Sequence, residues 1–262
     1  MWPQTGSPET SDSTPTGALS PRSDGPGPDD TESPDLNALL ARHAPTTVHA
    51  GLDERARRDL SSDGSTTVHA VVVVGDLRLS GLVLREAVSP ALYAKFVVGF
   101  TEAVRSLSAA YGGWFDKFTG DGFVSFWLYP DEGRFPGSVV AEFCQSVLPA
   151  SEKLVTNLRA NSRNFPVGVG LSLGLDSGAC ELVRMGEAIT LLGSPIVGAT
   201  RMASGAHAGE VIANIHLGGL LEGRSPDPET RGFGLNRTVV RTKEYPEGQE
   251  AYRLTFAAAP RD

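Results

Sequence analysis

Cysteine is nearly absent from this 262-residue chain: only Cys144 and Cys180 occur, far apart and at no metal or redox spacing. A disulfide scaffold and a cysteine zinc site are both excluded. Long hydrophobic runs are missing too. The longest, near Ala70–Val74, is far too short to cross a bilayer, so no membrane association is expected. No basic segment followed by an apolar one opens the sequence, so no secretion signal is expected and the cytoplasm is the default compartment. A basic excess is lacking as well, since the net charge is −8. Residues 1–35 hold seven acids and one base, so that segment carries −6 and the rest of the chain only −2. A near-neutral body without a basic stripe argues against nucleic acid as a partner.

What is present is ordinary globular composition, 40% hydrophobic and 21% charged, after an atypical start. Pro, Gly, Ser and Thr fill 22 of the first 35 positions. Residues 1–35 therefore read as a disordered acidic tail, too poor in apolar groups to offset its ordering entropy. Residues 36–65 read as a short helical lead-in. Asp35 precedes Leu36, Leu39 and Leu40 as a helix start, and residues 53–60 form a second short, exposed helix. The pentapeptide Thr-Thr-Val-His-Ala at 46–50 recurs at 66–70, but nothing around the two copies matches.

The organised domain is expected over residues 66–256. Val68–Asp76 is a continuous β-branched run, the pattern of a buried strand. Pro90 opens a helix with Leu92, Phe96, Phe100, Val104, Leu107 and Tyr111 on one stripe. Trp114–Thr119 and Phe123–Trp127 flank Gly120-Asp121-Gly122 as a hairpin. Pro136–Ala160 is a second amphipathic helix, and Val167–Leu175 a strand. Shorter strands follow at Glu181–Met185, Ile189–Leu192 and Glu210–Ala213, with a helix at Gly198–Ala206. Thr238–Lys243 and Ala251–Phe256 close the chain as a hairpin. The order β-α-β-β-α-β is that of a split βαβ, a ferredoxin-like α+β palm.

Asp76 ends the first strand, and Asp121 lies at the hairpin tip 45 residues later. If their strands are neighbours, both carboxylates emerge at one end of the sheet. Two carboxylates beside the amides of a tight turn suit divalent cations holding a polyphosphate. Taken alone, Gly-Asp-Gly is first of all turn chemistry. The five histidines have no ligand spacing, Ser80 and Ser204 lack a nucleophile-elbow context, and Arg78, Arg184 and Lys243 read first as surface residues.

Three motifs in register change the balance. Val72-Val73-Val74-Gly75-Asp76-Leu77, then Gly112 through Gly122, then Gly193-Ser194-Pro195-Ile196-Val197-Gly198-Ala199-Thr200-Arg201-Met202 resemble, in order, the signatures of class III nucleotide cyclases. The resemblance spans roughly residues 66–256 and implies a ferredoxin-like cyclase palm working as a head-to-tail homodimer. It implies that Asp76 and Asp121, with the Leu77 carbonyl, bind two Mg²⁺ or Mn²⁺ ions. Backbone amides over Leu77, Arg78, Leu79 and Ser80 would cradle the β- and γ-phosphates of a nucleoside triphosphate substrate. Arg201 would be the catalytic arginine, reaching across from the partner subunit to the transferring phosphorus, so that neither protomer alone holds both the metals and Arg201. Two departures stand out: Val197 replaces the family's ribose-orienting asparagine, and Leu79-Ser80-Gly81 replaces its usual Gly-Phe-Thr.

The base pocket is implied at Lys117 and Thr190, a pair similar to that of bacterial adenylate cyclases and favouring ATP. The run from Leu191 to Met202, with Asp116–Gly122, is most similar to the stand-alone cyclases of bacterial antiphage (Pycsar) systems, which make cyclic UMP or cyclic CMP. The whole pattern favours UTP cyclised to cyclic UMP, a second messenger read by a separate effector. An adenylate cyclase and a non-catalytic nucleotide-binding relative are the alternatives.

Overall fold

The computed structural model describes residues 35–44, 52–62, 64–87, 89–130, 132–224 and 232–256. The proposed tail before Asp35 and the first Thr-Thr-Val-His-Ala copy lie outside the described residues. Helices α1 (Leu36–Ala41) and α2 (Glu54–Ser61) lead into strand β1 (Ser65–Arg78), followed by α3 (Pro90–Ala110), β2 (Trp114–Phe118) and β3 (Gly122–Leu128). Next come α4 (Gly137–Ala160), β4 (Gly170–Met185), β5 (Ala188–Leu192), α5 (Ser194–Gly205), β6 (Val211–Asn214) and α6 (Ile215–Arg224). A hairpin of β7 (Phe233–Val240) and β8 (Gln249–Phe256) ends the described chain.

The described strands form one eight-stranded sheet in the order β2-β3-β1-β4-β6-β8-β7, with β5 hung on β4. Among the described strands only the β4–β6 pairing is parallel. The first four strands keep the expected split βαβ order. Helices α3 and α4 cover one face, burying Phe96, Phe100, Val104, Phe143 and Val147 against Val71, Val73, Phe123 and Trp127. On the other face Leu39, Leu40, Ala56 and Leu60 pack with Trp114, Phe126, Val72, Val74 and Leu191, together with Ala199 and Ala203 of α5. Both faces of β1 are therefore buried, which is why it reads as an unbroken apolar run.

Several expectations are corrected. The expected exposed helix is α2, and its Ala56 and Leu60 are buried. Arg184 is buried rather than a surface residue: its Nη1 donates to the carbonyls of Leu60 and Ser61 at the end of α2, each at 3.4 Å. It supplies donors to carbonyls that the helix leaves unpaired. The two strands expected at Val167–Leu175 and Glu181–Met185 are one, β4. Asp176-Ser177-Gly178 resembles turn chemistry, yet β1 pairs with β4 continuously from Ser65↔Val183 to Arg78↔Gly170 and keeps the segment extended. Helix α6 has no counterpart in the sequence reading, because its segment Ile-His-Leu-Gly-Gly-Leu-Leu-Glu-Gly-Arg is glycine-rich. The closing hairpin begins earlier than expected, at Phe233.

Asp176 is held in the middle of this strand by specific partners. The Ser177 amide donates to its Oδ1 (2.8 Å) and Asn214 Nδ2 to its Oδ2 (3.2 Å). Helix α5 crosses at Gly198, where a Cβ would collide with the carboxylate. Burial pushes the Asp176 carboxyl up to about 6, against the smaller opposing effects of the Ser177 amide and His216. The folded state therefore binds this proton more tightly than the unfolded chain. The group's stabilising effect is complete below about pH 4 and is lost as pH rises through 6. In urea unfolding between pH 4 and 7, the stability of wild type relative to Asp176→Asn should fall with rising pH and then level off. A difference that does not change with pH would contradict this environment for Asp176.

Candidate active site

Asp76 stands at the end of β1, opposite Gly122 of β3 and Ser172 of β4. The Leu77 amide donates to the Asp121 carbonyl at 2.9 Å, so the hairpin tip folds directly onto the end of β1. That closeness depends on Gly122, where any Cβ would run into the Gly75 carbonyl oxygen. The two carboxylates expected from the sequence are thus brought together. Burial raises the Asp76 carboxyl above the usual carboxylate range; Arg78 opposes the shift, and the Asp121 charge adds to it. Arg78 Nη1 bonds Asp76 Oδ2 at 2.9 Å, and Ser80 Oγ donates to Asp121 Oδ2 at 2.7 Å.

The chain then turns sharply. Leu79 takes a left-handed backbone conformation (φ 64°) and caps a single helical turn at Ser80–Leu82. The Leu79 carbonyl accepts from the amides of Leu82 and Val83. A branched side chain in this conformation is strained, and such strain clusters at functional loops.

Asp76, Arg78, Thr200, Arg201, Ser204 and the loop Arg241–Glu244 line one cavity of about 600 Å³. Arg201 is therefore on the same cavity as Asp76 within one chain. Helix α5 packs on the strand end itself, where Ser172 Oγ reaches the carbonyls of both Asp76 (3.2 Å) and Ala203 (3.0 Å). The guanidinium of Arg201 lies over the Tyr245 ring, and its Nε donates to Glu244 Oε2 at 2.6 Å. Neither Glu244 nor Tyr245 carried any sequence signal. Val197 is one helical turn before Arg201 and half exposed.

Lys117 and Thr190, 73 residues apart, meet: Lys117 Nζ donates to Thr190 Oγ1 at 2.7 Å. They are not among the residues lining the Asp76 cavity. Behind them stands Asp116, with no exposed side-chain surface, 3.1 Å from Lys117 Nζ. Sequence reading assigned Asp116 no role, although it adjoins Lys117.

Among the described residues no group of three or more His, Cys, Asp or Glu side chains is placed to hold a metal. The donors at Asp76 and Asp121 nevertheless fit Mg²⁺ or Mn²⁺. Both are hard oxygen ligands, and such ions are held by one or two carboxylates with the remaining positions filled by water and phosphate. A cation at these carboxylates would offset the burial that chiefly raises Asp76 and the smaller repulsion from Asp121.

With this geometry in hand, similarity to solved structures is informative. The chain is similar to the adenylyl cyclase CyaB from P. aeruginosa, at 15% identity and a TM-score of 0.61, over 76% of this chain and 99% of that one. It is similar to the guanylyl cyclase Cya2, at 13% identity and a TM-score of 0.60, over 76% and 98%. A third similarity, at 14% identity and a TM-score of 0.57 over 73% and 98%, is to the catalytic core of a rhodopsin-guanylyl cyclase with converted specificity, in complex with ATPαS. The fold is that of the adenylyl and guanylyl cyclase catalytic domains. No family model matches the chain, and no curated protein matches it. No helix among the described residues is long and apolar enough to cross a membrane.

Replacing Gly122 by alanine tests the strand-end geometry. Gly122→Ala should lower the unfolding free energy by about 1–3 kcal/mol, the usual cost of forcing an extra methyl into a closed contact. Thermal and urea unfolding measure it; an unchanged midpoint would mean the hairpin tip is not packed on β1 as described.

Proposed function

We propose that this chain is a metal-dependent nucleotide cyclase that converts UTP to 3′,5′-cyclic UMP and pyrophosphate. The observation that carries the cyclase reading is the pairing of Asp76 with Asp121 at one sheet end, on a cavity that also holds the basic side chains of Arg78, Arg241 and Lys243. Asp76 and Asp121, with the Leu77 carbonyl, would hold two Mg²⁺ or Mn²⁺ ions. Bound there, the ions lower the pKa of the ribose 3′-hydroxyl and offset charge on the leaving pyrophosphate. The amides of Arg78, Leu79 and Ser80 face the β- and γ-phosphates, the Leu77 amide being held by the Asp121 carbonyl, and Arg78 exchanges Asp76 for phosphate. Arg201, permanently charged and forked, reaches across to the second copy's site and stabilises the α-phosphoryl oxygens there. Val197 lies beside the ribose, and Lys117 with Thr190 reads the base.

A homodimer is part of the reading. Lys117 and Thr190 do not line the cavity that holds Asp76, so a nucleotide whose phosphates sit at Asp76 takes its base contacts from a second copy placed head to tail. The UTP assignment rests on the resemblance of the Arg201 signature to the antiphage cyclases, and with it comes a signalling role through a separate effector in antiphage defence. One observation favours ATP as a second reading. The Lys117–Thr190 pair is assembled at 2.7 Å, and adenine offers N1 as acceptor and N6–H as donor to such a pair.

Incubation with equimolar ATP, GTP, CTP and UTP and Mn²⁺, followed by chromatography, decides. Cyclic UMP should dominate, and Asp76→Ala or Asp121→Ala should reduce every product to background, since each removes several kcal/mol of transition-state stabilisation. Dominant cyclic AMP would favour the second reading, and unchanged turnover in either variant would sink the metal site. Sharing between copies is tested separately. Asp76→Ala and Arg201→Ala should each be inactive alone and regain activity when mixed under conditions of proven subunit exchange. Failure to recover would place the whole site within one copy.

A further inference from the structure

Strands β2 and β5 carry Lys117 and Thr190, yet they share no ladder: β2 pairs with β3, and β5 with β4. What joins them is side-chain chemistry. The β2 ladder skips one residue between Phe115 and Lys117, so Asp116 is the extra residue of a β-bulge. Bulges re-aim a side chain, and here the buried Asp116 carboxylate reaches across to β5. Its Oδ1 accepts from the Leu191 amide (3.4 Å) and its Oδ2 from the Thr190 hydroxyl (3.2 Å). A second brace comes from the lead-in. His43 Nδ1 bonds the Phe115 carbonyl (2.9 Å), while its Nε2 accepts from the Ile189 amide (3.4 Å).

We infer that Asp116 fixes the hydrogen-bonding polarity of the base pocket and so is a specificity-determining positioning residue. This rests on the cyclase reading above. Donor and acceptor capacity sets that polarity. A threonine hydroxyl has one proton and two lone pairs. Asp116 takes the proton, and Lys117 Nζ occupies one lone pair, so Thr190 can only accept from a base. Of the three ammonium protons of Lys117, one goes to Thr190 and one to Asp116, so one is left to donate. The pocket therefore offers one fixed acceptor beside one fixed donor. A base edge must present a donor and an acceptor in the matching order, and an edge in the reverse order meets donor against donor.

Asp116→Asn changes this polarity without changing shape. The Leu191 amide needs an oxygen, which the Asn carboxamide supplies as Oδ1. Its NH₂ then faces Thr190 Oγ1 and donates, the Lys117 proton that Asp116 accepted loses its acceptor, and the Thr190 proton turns outward. Thr190 becomes a donor toward the base, beside a Lys117 that already donates.

The test compares wild type, Asp116→Asn, Thr190→Val, Thr190→Ser and the Asp116→Asn/Thr190→Val double variant, measuring kcat and KM for each of the four triphosphates with Mn²⁺. In Asp116→Asn the preference for the best triphosphate over the next should fall about tenfold, mainly through KM. Thr190→Val should fall equally, the double variant no further, and Thr190→Ser, which keeps the hydroxyl, should keep the wild-type ratio. That coupling is the signature of a shared function. A uniform loss on all four substrates with the ratio preserved overturns the inference and leaves the cyclase reading intact. So do additive losses in the double variant. Loss of the cooperative thermal transition in Asp116→Asn also overturns it, because the ladders and the His43 brace are expected to hold the strands without that charge. A wild-type protein that cyclises none of the four overturns the cyclase reading, and the inference with it.

Discussion

The antiparallel pairing of β1 with β4 is the constraint on which the rest depends. It runs unbroken from Ser65↔Val183 to Arg78↔Gly170 and fixes the register of every neighbour. A one-residue slip would turn each side chain of β1 to the opposite face. Both faces are buried, so such a slip would take Val71 and Val73 out of one core and Val72 and Val74 out of the other. The same register sets Asp76 against Ser172, whose hydroxyl ties the strand end to α5 and hence to the helix that bears Arg201. Position along one strand thus determines the position of the carboxylate, the arginine and the cavity between them.

The parts of this arrangement legible in the sequence are those whose signal is local. The β-branched run of β1, the helical stripes of α3 and α4, and the Gly120-Asp121-Gly122 turn each reflect a period or a turn preference contained in a few residues. Illegible parts were set by distant partners. Asp176-Ser177-Gly178 stays extended because β1 lies beside it, a fact no window around residue 177 contains. Arg184 is buried because the α2 carbonyls need donors, and α2 lies more than a hundred residues upstream. The site divides in the same way. Asp76 and Asp121 were found by motif, whereas Glu244 and Tyr245, which hold Arg201, belong to a loop with no pattern of its own.

Asp76, Asp121 and Arg201 each have a partner within the chain. Asp76 is paired with Arg78, Asp121 accepts from Ser80, and Arg201 is paired with Glu244. Arg78, Arg201 and Glu244 remain partly exposed, and ion pairs of that kind contribute little to stability. Little free energy is therefore lost when these partners are exchanged. On the proposed reading a cation replaces Arg78 at Asp76 while phosphate replaces Asp76 at Arg78, and the net change in buried charge stays small. The partnerships keep like charges apart until substrate brings its own.

On the proposed reading, base choice obeys a different logic. At 13 to 15% identity this fold is shared with an adenylyl cyclase, a guanylyl cyclase and a cyclase of converted specificity. The backbone therefore leaves the base open, and a few side chains must decide it. Lys117 alone is a poor discriminator, because an ammonium donates to any acceptor and every base has one. Discrimination requires a group whose polarity cannot rotate to suit the ligand. A free threonine hydroxyl rotates; one bonded to a fully buried carboxylate does not. On the proposed reading, the capacity to choose a base thus lies one layer behind the residues that would touch it, in the bulge that aims Asp116.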